Sequence, residues 1–154
     1  GFFFSMFADN YLEIVKGRVY QGSKEQKASA FYTLYQSLLT ICKLMAPITP
    51  YVTEEIYQNH FKSHEKNKSI HTEKWPDEIK IKTNKDDDKI WNKMIEIIGK
   101  IRQKKSEAKK SMKSEIILIL SKEDTEILKP VMQDLKAVSN AKEIKTGSFN
   151  VEFV

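Results

Sequence analysis

One cysteine in 154 residues excludes an internal disulfide framework, and a lone Cys42 on an apolar stripe is expected as reduced core packing in a cytoplasmic protein. No apolar run approaches the roughly 20 residues of a membrane helix, so no membrane partner is expected. Gly1-Phe2-Phe3-Phe4 has neither the basic start nor the small-residue cleavage site of a signal peptide. His60 and His64 stand four apart, a spacing that can share a metal. No cysteine and no His-Glu-x-x-His pattern completes such a set, so two solvated histidines at a fraying helix end are expected, with no metal and no cofactor. The chain does not begin with Met, and its aromatic start has no helix cap. It reads as a piece of a longer protein, with a preceding first helix missing.

What is present is helical periodicity. Phe3, Phe4, Phe7, Tyr11, Ile14 and Val15 predict a first helix over 2–20, stopped by Gly22. Ala28, Phe31, Leu34, Tyr35, Leu38, Leu39, Ile41, Cys42 and Met45 predict a second, central helix over 23–45. Pro47 ends it, and Thr49 and Pro50 stand where an N-cap and first helical position belong. The third helix should run to about Phe61 and bury Val52, Ile56 and Tyr57; Glu54 and Glu55 complement its dipole. Residues 62–88 are a polar connection anchored by Ile70 and Trp75. Asp86, Asp87 and Asp88 offer an N-cap and first-turn negative charge for a fourth helix whose buried face is Ile90, Trp91, Met94, Ile97, Ile98 and Ile101. The β-branched run Ile116 to Leu120 predicts a strand, Ser121 to Asp124 a capping box, Pro130 a break, and residues 141–145 and 149–154 two further strands. The expected fold is mainly α: a helical bundle over 1–114 with a small β-α-β-β extension over 115–154.

The net charge of +5 comes from 26 basic and 21 acidic residues, a mild excess. Its distribution is not mild. Between Lys89 and Lys113 stand nine basic residues against Glu96 and Glu107. Arg102, Lys105 and Lys109 fall at i, i+3 and i+7, flanked by Lys100 and Lys104, which predicts a ridge of phosphate donors along one helix face. The competing reading is an ordinary solvated face. Tyr11, Tyr20, Trp75 and Phe149 could stack on bases, but core packing is the default for each.

Leu44-Met45-Ala46-Pro47-Ile48-Thr49-Pro50-Tyr51-Val52-Thr53-Glu54-Glu55-Ile56-Tyr57 resembles the helix corner in the anticodon-binding domain of the class I aminoacyl-tRNA synthetases for valine, isoleucine, leucine and methionine. The stretch Phe7 to Tyr20, with Tyr11-Leu12-Glu13-Ile14-Val15-Lys16, is most similar to the valyl-tRNA synthetases, of the archaeal type. Ile101-Arg102-Gln103-Lys104-Lys105-Ser106-Glu107 is a further similar stretch, and Ser69-Ile70-His71-Thr72-Glu73-Lys74-Trp75-Pro76, similar also in the isoleucyl enzymes, fits the wider group. The likeness covers 5–114 well and the remainder weakly.

The resemblance implies recognition of a tRNA anticodon stem-loop by Lys100, Arg102, Lys104, Lys105, Lys109 and Lys110, with Lys16 and Arg18 as further contacts, and an anchoring hydrogen bond from His71. It also implies catalytic and editing domains in the same polypeptide, where ATP and Mg would drive attachment of valine. Lys110-Ser111-Met112-Lys113-Ser114 looks like the Lys-Met-Ser-Lys-Ser loop of these enzymes, but the order differs and no His-x-Gly-His exists, so no catalytic residue is expected here. The isoleucyl enzyme, or a helical interaction module docking an acidic protein, are the alternatives.

Overall fold

The computed structural model describes residues 2–77 and 84–154, with side chains from Ser5 onward. The expected packing of Phe2, Phe3 and Phe4, and part of the 62–88 connection, therefore lie outside the described residues. The chain is mainly α-helical with a small three-stranded sheet near its C-terminus. Its contacts divide it into two compact units, residues 24–81 and the combination of 1–23 with 82–154.

In the larger unit, a π-helical segment Phe2–Tyr11 leads into α1 (Leu12–Gln21). The helix expected over 2–20 is thus wound in two ways, and the Phe7 and Tyr11 rings stack at 5.8 Å in its wider part. Gly22 closes α1, its N–H bonding Arg18 O. α4 (Asp87–Glu107) buries Met94, Ile97, Ile98 and Ile101 of the expected stripe, while Ile90 and Trp91 at its start are only partly buried. Asp86 does not cap it through its side chain; the neighbouring Asp87 carboxylate instead accepts from Asn84 N. β1 (Ile116–Leu120) is the central strand, parallel to β2 (Ala141–Thr146) and antiparallel to β3 (Asn150–Phe153). The two strands joined by Thr146-Gly147-Ser148 are thus not paired with each other; β1 lies between them.

α5 (Lys122–Leu128) starts at Ser121, whose hydroxyl accepts from Asp124 N as the capping box requires. Pro130 interrupts the helix in a 3₁₀ turn before α6 (Met132–Ser139). Alternate residues of β1, Ile116, Leu118 and Leu120, face a core shared with Ile14, Met94, Ile97, Ile98, Ile101, Leu128 and Leu135. The expected boundary at 114 therefore does not separate two cores: apolar faces of α1 and α4 are covered by the sheet and its helices, so 115–154 groups with them.

The second unit holds α2 (Lys24–Met45) and α3 (Pro50–His60). Only part of the expected α2 stripe is buried: Leu39 and Cys42 are, with Ala30, while Phe31, Leu38 and Met45 stay exposed. Pro50 opens α3, but Thr49 does not cap it. Its hydroxyl donates back to Met45 O, and the following helix is anchored by Thr53, which bonds Thr49 O through both N–H and hydroxyl. Thr53 and Tyr57 are the buried positions of α3, and Val52 faces solvent.

Of the two expected anchors in the connection, Ile70 is buried and Trp75 is 62% exposed. Carboxylates replace the tryptophan as fasteners. Glu54 accepts from Gln58 Nε2 (2.6 Å), Ser69 Oγ (2.8 Å) and Ile70 N (3.0 Å). Glu73 takes Lys43 Nζ and Tyr57 Oη, both at 2.9 Å. Among the described residues the His71 ring has no anchoring hydrogen bond, its Nε2 standing 4.0 Å from Glu54; its backbone N–H bonds Ser69 Oγ.

Candidate nucleic-acid interface

The basic segment begins on α4 and continues past its end. Lys105 is 1% exposed, and its ammonium donates to Met112 O (2.8 Å), Ser114 O (2.9 Å) and Ser139 O (2.9 Å). It cannot be a phosphate contact, because burial has removed it from solvent and three carbonyls use its three protons. Burial also pushes its pKa below the ordinary lysine value. A signal for this was present in the pattern: Lys105 lies four residues after Ile101 and seven after Ile98, so it continues the buried stripe of α4 rather than the polar face.

The ridge is broken a second time at Lys109. α4 ends at Glu107, and Lys109 takes a left-handed conformation with φ 52°. Lys109 N bonds Ser106 O and Lys110 N bonds Lys105 O, the paired bonds of a Schellman closure whose left-handed position glycine usually fills. A lysine there carries a conformational cost of about 1 kcal/mol. Lys109 and Lys110 are exposed in the loop beyond, together with Lys113, which was counted in the basic segment but not among the contact residues. Among the described residues none of these three ammonium groups has a carboxylate within ion-pair distance.

The other candidates are engaged within the molecule. Lys100 pairs with Glu96 at 2.6 Å and sits 5.5 Å over the Phe149 ring. Glu96, between Lys100 and Lys93, is pulled down to about 2 by their hydrogen bonds. Lys104 has Glu107 at 3.4 Å, and Lys16 pairs with Glu13; both pairs are exposed and worth little, so these lysines stay available to a ligand.

Arg102 donates to Asn10 Oδ1 and Asp9 O, both at 3.0 Å, which ties α4 to the N-terminal segment. Arg18 grips buried Asp134 with Nε (2.7 Å) and Nη2, a bidentate clamp from α1 to α6. The Asp134 hydrogen bond raises the Arg18 pKa further, so this candidate contact is a structural fastener.

Beside the loop, a half-open cavity of about 530 Å³ lies between α1, the end of α4 and the corner from α6 to β2. Of the aromatic candidates, Tyr20 and Trp75 are exposed, Phe149 takes Lys100 on its face, and Tyr11 stacks on Phe7. Among the described residues no group of three or more His, Cys, Asp or Glu is placed to hold a metal, and no helix is long and apolar enough to cross a membrane.

A family model for the anticodon-binding domain of tRNA ligase matches residues 1–120, which include the exposed lysines at and beyond the end of α4. The chain belongs to that family. Among similar proteins, a valine–tRNA ligase of Orientia tsutsugamushi (strain Boryong) is 37% identical over 92% of this chain and 17% of its own length. One of Ehrlichia canis (strain Jake) is 40% identical over 91% of this chain and 17% of its own length. One of Thermococcus kodakarensis is 30% identical over 90% of this chain and 16% of its own length. The chain thus spans under a fifth of the length of these relatives. The match ends at residue 120, so anticodon-binding family membership is carried by α1 to α4 and β1, while α5, α6, β2 and β3 lie beyond it.

Proposed function

We propose that the chain is the anticodon-binding part of a valine–tRNA ligase and holds the anticodon stem-loop of a tRNA. The observation that carries this is the 37% identity to a valine–tRNA ligase along 92% of the chain, and the relatives named support valine over isoleucine. The geometry supports electrostatic holding: Lys109, Lys110 and Lys113 offer solvent-facing ammonium groups with no internal acidic partner among the described residues, backed by Lys104, Lys16 and Lys100. Lys105 and Arg18 leave the contact set. Arg102 keeps guanidinium hydrogens beyond the two it uses, in a planar fork able to pair with a base edge. In the whole enzyme, catalytic and editing domains elsewhere in the polypeptide would use ATP and Mg to attach valine.

The test is binding of a fluorescent hairpin carrying a valine anticodon, against one carrying an isoleucine anticodon, across a salt series. With three or four phosphate contacts, log affinity should fall with log salt at a slope of about −2 to −3. The Lys110→Ala variant should flatten that slope by about 0.7 and weaken both hairpins alike. Valine-dependent pyrophosphate exchange by this chain alone should stay at background. Absence of hairpin binding at low salt, or equal binding of an acidic peptide at the same site, would overturn the reading.

A further inference from the structure

We propose that Lys105 and Asn140 are positioning residues for RNA holding: without touching the ligand, they fix the loop over 108–114 so that Lys109, Lys110 and Lys113 stand in place before a phosphate arrives. This rests on the RNA reading above and deepens it. Residues 108–113 are all exposed, so no buried side chain of the loop holds it down. An exposed stretch without apolar contacts is ordinarily free to move. Order in this one has to come from bonds to its backbone.

Those bonds converge from several sides. Inside the loop, Lys109 N and Lys110 N close onto Ser106 O and Lys105 O, while Lys113 N and Ser114 N bond the Ser111 hydroxyl and carbonyl. From beneath, Lys105 Nζ donates to Met112 O and Ser114 O, and its third proton goes to Ser139 O at the end of α6. From the corner between α6 and β2, Asn140 Nδ2 donates to Lys113 O. The consecutive carbonyls of Met112, Lys113 and Ser114 are thus each taken by a donor from outside the loop.

Neither residue is the one that stability alone would ask for. Lys105 buries an ammonium with no carboxylate within ion-pair distance among the described residues, and such a charge is costly to bury. A methionine has nearly the same length and would continue the apolar stripe of Ile98 and Ile101 without that cost. Asn140 has φ 56°, the left-handed closure of α6 that glycine fills most easily. Asparagine tolerates that position and adds what glycine lacks, an amide that reaches Lys113 O. What both residues supply is a fixed loop, and a surface ordered in advance loses less entropy when its ligand arrives. Ser139 and Asn140 lie beyond the residues matched by the family model, so the C-terminal extension shapes the loop without meeting the RNA.

The test combines backbone nitrogen-15 relaxation with titration of the valine anticodon hairpin across a salt series, on wild type, Lys105→Met, Lys105→Arg and Asn140→Gly. In wild type the heteronuclear NOEs of residues 109–114 should match those of α4. Lys105→Met should lower them while α4 and β1 keep theirs, and should weaken the hairpin roughly tenfold, since the loop must then be ordered on binding. Lys105→Arg keeps the charge and the donors and should recover part of that loss. Asn140→Gly should weaken the hairpin by about threefold with an unchanged salt slope, because every lysine is still present, in contrast to the flatter slope expected of Lys110→Ala. Glycine suits the backbone at residue 140, so this variant carries the test even if Lys105→Met fails to fold. Loop NOEs that stay high in Asn140→Gly, or a loosened loop with undiminished affinity, overturn the positioning role and leave the RNA reading standing. No hairpin binding by the wild-type protein overturns both.

Discussion

The two compact units are built on different physics. The larger one centres on Ile116, Leu118 and Leu120 of β1 against Ile97, Ile98 and Ile101 of α4, all essentially without solvent contact, so burial of apolar area holds it. The smaller one has a modest apolar cluster around Leu39, Cys42, Tyr57, Phe61 and Ile70, and around it a web of hydrogen bonds ending on Glu54, Glu65 and Glu73. Apolar packing is indifferent to pH, whereas a web of carboxylates depends on their charge. The difference teaches where each unit can be broken.

The largest effect is expected from Leu118→Ala. Deleting a fully buried side chain of the central strand should cost the larger unit roughly 3 kcal/mol, read as a lower denaturant midpoint. Amide exchange in α2 and α3 should hardly change. Equal loss of protection in both units would erase the comparison.

Next is Glu73→Ala, which strips the partner from Lys43 and Tyr57 and should cost about 2 kcal/mol in the smaller unit. Its pH dependence has a definite sign. Burial alone would raise the Glu73 pKa, but hydrogen bonds from Lys43 and Tyr57 outweigh it and hold the carboxyl below its ordinary value. Glu54 behaves likewise, with Gln58, Ser69 and Ile70 N as donors. A depressed folded pKa means stability that is present above the unfolded value near about 4.3 and is lost as pH falls through the folded one. Protection of α3 amides should therefore fall on acidification before that of β1, and Glu73→Gln should flatten the trend. Glu96 in the larger unit has a pKa near 2, but it is exposed and contributes little to that unit's acid response.

Gly17→Ala sharpens the packing side. A Cβ there would stand 2.7 Å from Ala137 Cβ, where α1 meets α6, and the clash should outweigh the gain in helix propensity for a net loss of about 1 kcal/mol. Ala137→Gly added to it should restore the spacing, so the double variant should recover hairpin affinity as well as thermal midpoint if only the fit was lost.

The smallest effect separates stability from binding. Lys109→Gly relieves the left-handed position and should add about 0.5–1 kcal/mol of stability while weakening the hairpin and flattening its salt slope. A stabilised variant with undiminished affinity would remove Lys109 from the contact surface.

Much of the architecture was legible before any coordinates, because period and punctuation are local signals. The 94–97–98–101 stripe, the run Ile116–Leu120, the Ser121 cap and the Pro130 break each stand where the pattern put them. The candidate site was legible only in composition. Lys105 and Lys109 share a segment and a charge, yet one is sealed under the Met112, Ser114 and Ser139 carbonyls and the other lies past the helix end. Arg18 could not be told from a ligand contact until Asp134, 116 residues away, came beside it.

The sequence by itself determined the helices, the central strand, the basic excess of 89–113 and the family, since these follow from neighbours along the chain and from residue identity. Only the tertiary structure decided which cations remain for a ligand, that β1 would lie between β2 and β3, and that a cavity would form beside the loop. Those outcomes depend on partners distant in sequence: a charge is available or used according to which carbonyl or carboxylate the fold brings within about 3 Å of it.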